Sequence, residues 1–197
     1  RYPSADLLAI LALESERAGA IVIGEDLGTV APGVRERLAT ERVLSTRVAW
    51  FEPGPPASYP PLSLAAVTTH DLPTVRGLWT GSDLREQEAV GLAANVEGTA
   101  ALRNHLRALA GLPDTASWEE VSLAIHRRLA EAPSVLIAAT LEDALGVAER
   151  PNLPGTTGDR RPNWSLALPK AMDEIEEDPR VRTLATILDR GSRDFGA

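Results

Sequence analysis

Three groups of ionisable side chains stand where apolar runs stop. Glu25 and Asp26 follow Ala20-Ile-Val-Ile-Gly24, Glu52 closes Arg47-Val-Ala-Trp-Phe-Glu52, and His70-Asp71 follow Ser63-Leu-Ala-Ala-Val-Thr68. Cleavage of a glycosidic bond needs a protonated carboxyl to donate to the leaving oxygen. It also needs anionic groups to stabilise an oxocarbenium-like transition state. Carboxylates crowded at one rim repel each other, which raises one pKa and supplies an acid near neutral pH. Glu25 and Asp71 suit these two roles. A neutral imidazole both donates and accepts, so His70 suits a sugar hydroxyl. Trp50, Phe51, Tyr59, Trp79 and Trp164 offer apolar faces against which sugar rings can lie.

Plainer readings compete at each position. A single carboxylate such as Glu25 also caps helices, and any one aromatic is more often core than platform. Glu25, Asp26, His70 and Asp71 together form a conceivable metal-ligand set, although no paired-His spacing supports one. Gly24-Glu-Asp-Leu-Gly28 lacks the third glycine of a dinucleotide fingerprint. No Ser or Cys sits in a nucleophile elbow.

The elements that must carry these groups are read from periodicity. Ser4, with Asp6 in the first turn, opens a helix over Leu7, Leu8 and Leu11 that Gly19 ends. Ala20 to Ile23 reads as a strand buried on both faces. Pro32 to Ala39 reads as a short helix, and Arg47 to Glu52 as a second strand. Pro53 to Pro61 lacks too many amide donors to be helix or central strand. Ser63 to Thr68 is a third strand, after which Leu72-Pro73-Thr74 opens a helix. Helices follow over Thr99 to Ala110 and Trp118 to Ala130, the second with a Ser117/Glu120 capping box. Ser134 to Ala139 is a fourth strand, followed by a short helix from Leu141. Asp178-Pro179 caps a last helix that Gly191 stops. Alternating strands and helices imply a parallel sheet with right-handed crossovers. Polar clusters at three strand ends match the rim of a barrel, where active sites form.

Composition narrows the partners. The chain has 197 residues, a formal net charge of −8 and no Cys, and 44% of it is hydrophobic. That suits one domain with a real core. It argues against nucleic acid and anionic membranes as partners, and it excludes disulfides and Cys-bound metal. No apolar run approaches membrane-span length, no signal peptide is visible, and a cytoplasmic protein is expected. The chain opens on Arg1 rather than Met, as a piece of a longer protein or a trimmed terminus would.

Three ordered stretches carry a family resemblance. Ile23-Gly-Glu-Asp-Leu-Gly28 comes first. Val67-Thr-Thr-His-Asp-Leu-Pro-Thr74 with Gly77-Leu-Trp-Thr-Gly-Ser-Asp83 follows, and then Asn152-Leu-Pro-Gly-Thr156 with Pro162-Asn-Trp164. They resemble the bacterial 4-alpha-glucanotransferases, also called amylomaltases or disproportionating enzymes, of glycoside hydrolase family seventy-seven in the alpha-amylase clan. The resemblance implies a (β/α)8 barrel, of which this chain would be the C-terminal half, strands five to eight, within one catalytic domain over residues 1–197. It implies retaining transfer of α-1,4-glucan segments to glucose or another glucan, with no cofactor and no metal. Glu25 matches the general acid/base and Asp71 the transition-state-stabilising carboxylate. His70, Asp26, Glu52, Asn152 and Trp79 are the expected substrate contacts. The family's nucleophile, an Asp in an Arg-x-Asp motif ending the fourth strand, has no counterpart before Glu25, so the chain by itself is expected to be inactive. Hydrolases of the same clan share the acid/base and stabiliser. A non-catalytic glucan-binding or assembly piece, self-associating through exposed barrel edges, is the alternative of another class.

Overall fold

A computed structural model describes residues 3–191. Four strands, β1 (Ile23–Gly24), β2 (Leu44–Val48), β3 (Ser63–Ala66) and β4 (Leu136–Ala138), form one sheet in the order β1-β2-β3-β4. Every pairing is parallel, with Gly24 level with Ser45, Ser45 with Ser63, and Leu64 with Leu136. All four C-terminal strand ends therefore lie along one edge. This is the α/β architecture expected from the alternation of strands and helices.

Nine α-helices are present among the described residues: α1 (Ser4–Ala18), α2 (Val34–Thr40), α3 (Val75–Thr80), α4 (Ser82–Ala89), α5 (Val96–Ala110), α6 (Trp118–Ala130), α7 (Leu141–Leu145), α8 (Met172–Glu177) and α9 (Pro179–Leu188). The core lies where α3, α5 and α6 meet one face of the sheet. Ala65 and Val67 pack there with Leu78, Leu106, Ile125 and Leu129, and Ile137 packs against the same cluster. Alternation sends Leu64, Ala66 and Ala138 to the opposite face. With Thr46 they line an open cleft of about 550 Å³.

Several boundaries differ from the sequence reading. β1 is a two-residue edge strand, and Ile21 and Ile23 are 49% and 41% exposed rather than buried on both faces. No described strand lies on its far side. The second strand is Leu44–Val48, not Arg47 to Glu52. Phe51 and Glu52 donate back to the Val48 carbonyl, which turns the chain out of the ladder. Within Pro53 to Pro61 a 3₁₀ turn forms at Pro56–Ser58. At α1, Pro3 holds the N-cap position and Ser4 is already helical, so no side chain caps it. Asp189 rather than Gly191 ends α9. The short helices α4 and α8 were not foreseen. The Ser117/Glu120 capping box and the Asp178 cap form as read.

Candidate active site

The loop from β3 to α3 is tied by its own hydrogen bonds. Thr68 Oγ1 donates to the Pro73 carbonyl at 3.0 Å, Leu72 N to the Thr69 carbonyl at 3.1 Å, and Thr74 Oγ1 accepts from Gly77 N to cap α3. This loop sets His70 and Asp71 beside each other at the sheet's C-terminal edge. Their side chains are 51% and 45% exposed, with His70 Nε2 3.5 Å from Asp71 Oδ1. Asn152 arrives from a distant loop. Its backbone N–H donates to the His70 carbonyl at 3.2 Å, and its Nδ2 donates to Asp71 Oδ1 at 2.6 Å. The Trp164 ring lies 4.9 Å from the His70 ring at 54°. Trp164 is 64% exposed and holds φ +62°, a strained conformation for a bulky residue. His70, Asp71, Asn152 and Trp164 are thus brought together from two loops. His70 and Trp164 line the open cleft over Thr46 and Ala66.

Glu25 follows β1 directly, is exposed, and makes no hydrogen bond or ion pair with a described residue. Glu25 and Asp71 share the C-terminal edge but do not follow adjacent strands, because β2 lies between β1 and β3. Two strand spacings separate the ends of β1 and β3 by roughly 10 Å.

Other predicted site residues sit differently. Asp26 is 5% exposed. Its Oδ1 accepts from Thr46 N at 2.9 Å and its Oδ2 from Arg35 Nε at 2.9 Å. Thr46 Oγ1 donates to the Gly24 carbonyl at 3.0 Å. The Asp26 carboxylate therefore ties the chain leaving β1 to β2 and to Arg35. Glu52 is paired with Arg47 at 3.2 Å. Both line a second depression of about 390 Å³ that adjoins the first through Thr46. Trp79 is not at the strand ends. It is 8% exposed in the core, its Nε1 donates to the Ala116 carbonyl at 2.8 Å, and the Arg103 guanidinium covers its ring. Trp50 and Tyr59 are also core, whereas Phe51 is 56% exposed. Burial pushes the Tyr59 phenol well up, with Glu52 adding to the shift and Arg47 opposing it. Among the described residues no three His, Asp or Glu side chains gather to hold a metal ion.

The sequence reading missed the groups that hold these loops. Arg150 Nε donates to Asp83 Oδ1 at 2.8 Å, and its Nη1 donates to the Asp71 carbonyl at 2.8 Å. Arg161 Nε donates to Glu86 Oε1 at 2.7 Å. Asp83 closes one of the motifs quoted above and Arg150 stands two residues before Asn152, but neither carries a spacing that announces its partner. Glu142, at the first turn of α7, also lines the open cleft and was not foreseen.

Comparison with known proteins gives one consistent result. The family described as 4-alpha-glucanotransferase, glycoside hydrolase family 77, matches residues 1–172. The 4-alpha-glucanotransferase of Mycobacterium tuberculosis H37Rv is 40% identical across 94% of this chain. That of Haemophilus influenzae is 32% identical across 96%. The amylomaltase of Corynebacterium glutamicum superposes with a TM-score of 0.84 at 31% identity, over 97% of this chain and 32% of that one. An amylomaltase of Streptococcus agalactiae in complex with acarbose has the same fold, with a TM-score of 0.62 at 20% identity. The chain spans about 30% of the length of the curated relatives, 29% for the first and 30% for the second.

Proposed function

The chain belongs to the 4-alpha-glucanotransferase family, and from that premise we propose that it contributes part of an active site for retaining transfer of α-1,4-glucan segments to glucose or to another α-1,4-glucan. In this reading Glu25 is the general acid/base. It protonates the departing glycosidic oxygen and later deprotonates the acceptor hydroxyl. Asp71 stabilises the positive charge that develops on the sugar ring, and His70 contacts a sugar hydroxyl. Asn152 orients the Asp71 carboxylate, and Trp164 offers an exposed ring beside it. The observation that carries the reading is the parallel register, because it brings Glu25 and the His70-Asp71 loop to the same C-terminal edge of the sheet, after β1 and β3 on either side of β2. The chain then forms part of a single (β/α)8 catalytic domain, its strands corresponding to the fifth to eighth. A cysteine-free composition fits a cytoplasmic setting.

No Arg-x-Asp sequence occurs in these 197 residues, so the covalent intermediate requires a carboxylate from elsewhere. Maltotriose incubated with the isolated chain is expected to stay unchanged. In a full-length glucanotransferase carrying this segment, Asp71→Asn is expected to lower kcat by about 10²–10³-fold. Glucose and longer maltodextrins formed by the isolated chain, or full activity in the Asp71→Asn enzyme, would overturn the assignment. Transfer rather than hydrolysis is read from the family, and the ratio of glucose released to chain lengthening measures it.

A second reading has its own observation. Ile21 and Ile23 at the β1 edge, with Leu7, Ile10 and Leu13 of α1, are between 41% and 57% exposed. Such an edge favours pairing with another strand-bearing surface, as an assembly or glucan-binding piece would. Sizing the isolated chain and titrating it with maltose separates the readings. A monomer without sugar affinity removes this one.

A further inference from the structure

Asp71 is held at two points by residues two apart in one segment. Arg150 Nη1 donates to its main-chain carbonyl at 2.8 Å, and Asn152 Nδ2 donates to its Oδ1 at 2.6 Å. Pro151 between them restricts the backbone at its own φ. Arg150 is itself held at both ends. Its guanidinium gives Nε and Nη2 to Asp83 Oδ1, and its carbonyl accepts from Arg161 Nη2. The Arg150 and Asp83 side chains are 8% and 2% exposed, and the second Asp83 oxygen accepts from Gln87 Nε2 at 2.7 Å. Buried ion pairs give little net stability compared with apolar packing of the same volume. A planar guanidinium does, however, fix direction in a way an apolar side chain cannot. A fixed carbonyl at Asp71 sets the peptide plane, and with it the direction from which the carboxylate leaves the backbone.

We propose that Arg150, oriented by Asp83 from α4, is a positioning residue that fixes where the Asp71 carboxylate stands relative to the reacting sugar. The proposal rests on the reading of Asp71 as the stabilising carboxylate. Its action is on kcat: the stabiliser acts on charge that exists only in the transition state, so a misplaced Asp71 slows the chemical step while ground-state binding is kept.

The test is a double-mutant cycle in a full-length glucanotransferase carrying this segment, with maltotriose as substrate and thermal unfolding recorded for each variant. Arg150→Lys keeps the charge but loses the fork. Asp83→Asn keeps the shape but loses the ion pair, and it carries the test alone should Arg150→Lys not fold. Each is expected to lower kcat by on the order of 10²-fold with KM unchanged within about twofold. In an Asp71→Asn background the same changes are expected to cost less than about twofold more, because their effect runs through Asp71. Undiminished losses in that background, or kcat retained in both single variants, overturn the positioning role. Full activity in Asp71→Asn itself overturns the underlying reading of Asp71 instead.

Discussion

Asn152 donates to one oxygen of Asp71, and no described residue hydrogen-bonds to the other. One face of that carboxylate is therefore open to a ligand. Removing the donor frees the carboxylate to rotate, so Asn152→Ala in a full-length enzyme is expected to lower kcat on maltotriose by about tenfold or more, the equivalent of one hydrogen bond to a charged group. Steady-state kinetics measures it, and an unchanged kcat contradicts the orienting role. His70, Asp71 and Asn152 were legible as candidates because they lie within motifs. Their partners were not. Asp83 and Arg150 pair across 67 positions, and a charged side chain in a sequence does not name the residue it meets. Residue type also failed to separate exposed from buried. Trp79 and Trp164 read alike as sugar platforms, yet one is core and the other is exposed. Asp26 reads as a rim carboxylate, but the Thr46 amide of β2 and the Arg35 guanidinium hold it, buried, beside the end of β1.

At the scale of elements, two buried ionisable groups set opposite pH dependences. His126 in α6 is fully buried, and its Nδ1–H donates to the Ser122 carbonyl at 2.7 Å. Burial holds its pKa down to about 4, with the Ser122 hydrogen bond opposing the shift. Asp143 in α7 accepts from Val75 N at the start of α3 at 2.7 Å. Burial raises its pKa to about 7, against the lowering effect of hydrogen bonds from Val75 and Thr140. Below its unfolded pKa of roughly 6.5, His126 takes up a proton more readily when unfolded, so its contribution to stability falls as pH drops towards 4. Asp143 behaves oppositely. Its neutral form is favoured in the fold, so its contribution is fully present below about 4 and is lost as pH rises towards 7. The two slopes oppose each other between these limits. Asp143→Asn is therefore expected to make stability rise more steeply with pH from 4.5 to 6.5 (roughly the window between the two unfolded values) than in the unsubstituted chain. Urea midpoints at the two ends measure it, and an unaltered slope contradicts the shift of Asp143. Packing between elements gives another prediction. A Cβ at Gly77 in α3 would meet the Ala148 carbonyl oxygen far inside contact distance. Gly77→Ala is expected to cost about 1–3 kcal/mol, read as a lowered urea midpoint. Element order and parallel sense were legible from alternating periodicities and turn residues. The ends of β1 and β2 were not, because a strand stops where its neighbour stops offering partners, and the neighbour is set by the fold.

At the scale of the whole molecule, four parallel strands bury one face against helices and leave the other lining an open cleft. The exposed isoleucines at the β1 edge belong to the same picture, since a parallel strand with helices on one side finds its remaining cover across the barrel interior or along the edge. Strand count and parallel sense pointed to part of a barrel, but which edge stays open is not a property of any local pattern. Proton transfer by Glu25 at that edge is tested most directly by donor dependence. A full-length glucanotransferase with Glu25→Gln should lose about 10²–10⁴-fold in rate with maltotriose, whose leaving oxygen must be protonated. With α-glucosyl fluoride as donor and azide as acceptor, neither step needs the carboxyl, and the rate should approach that of the unsubstituted enzyme. An equal loss with both substrate pairs, or no loss with maltotriose, would contradict the account.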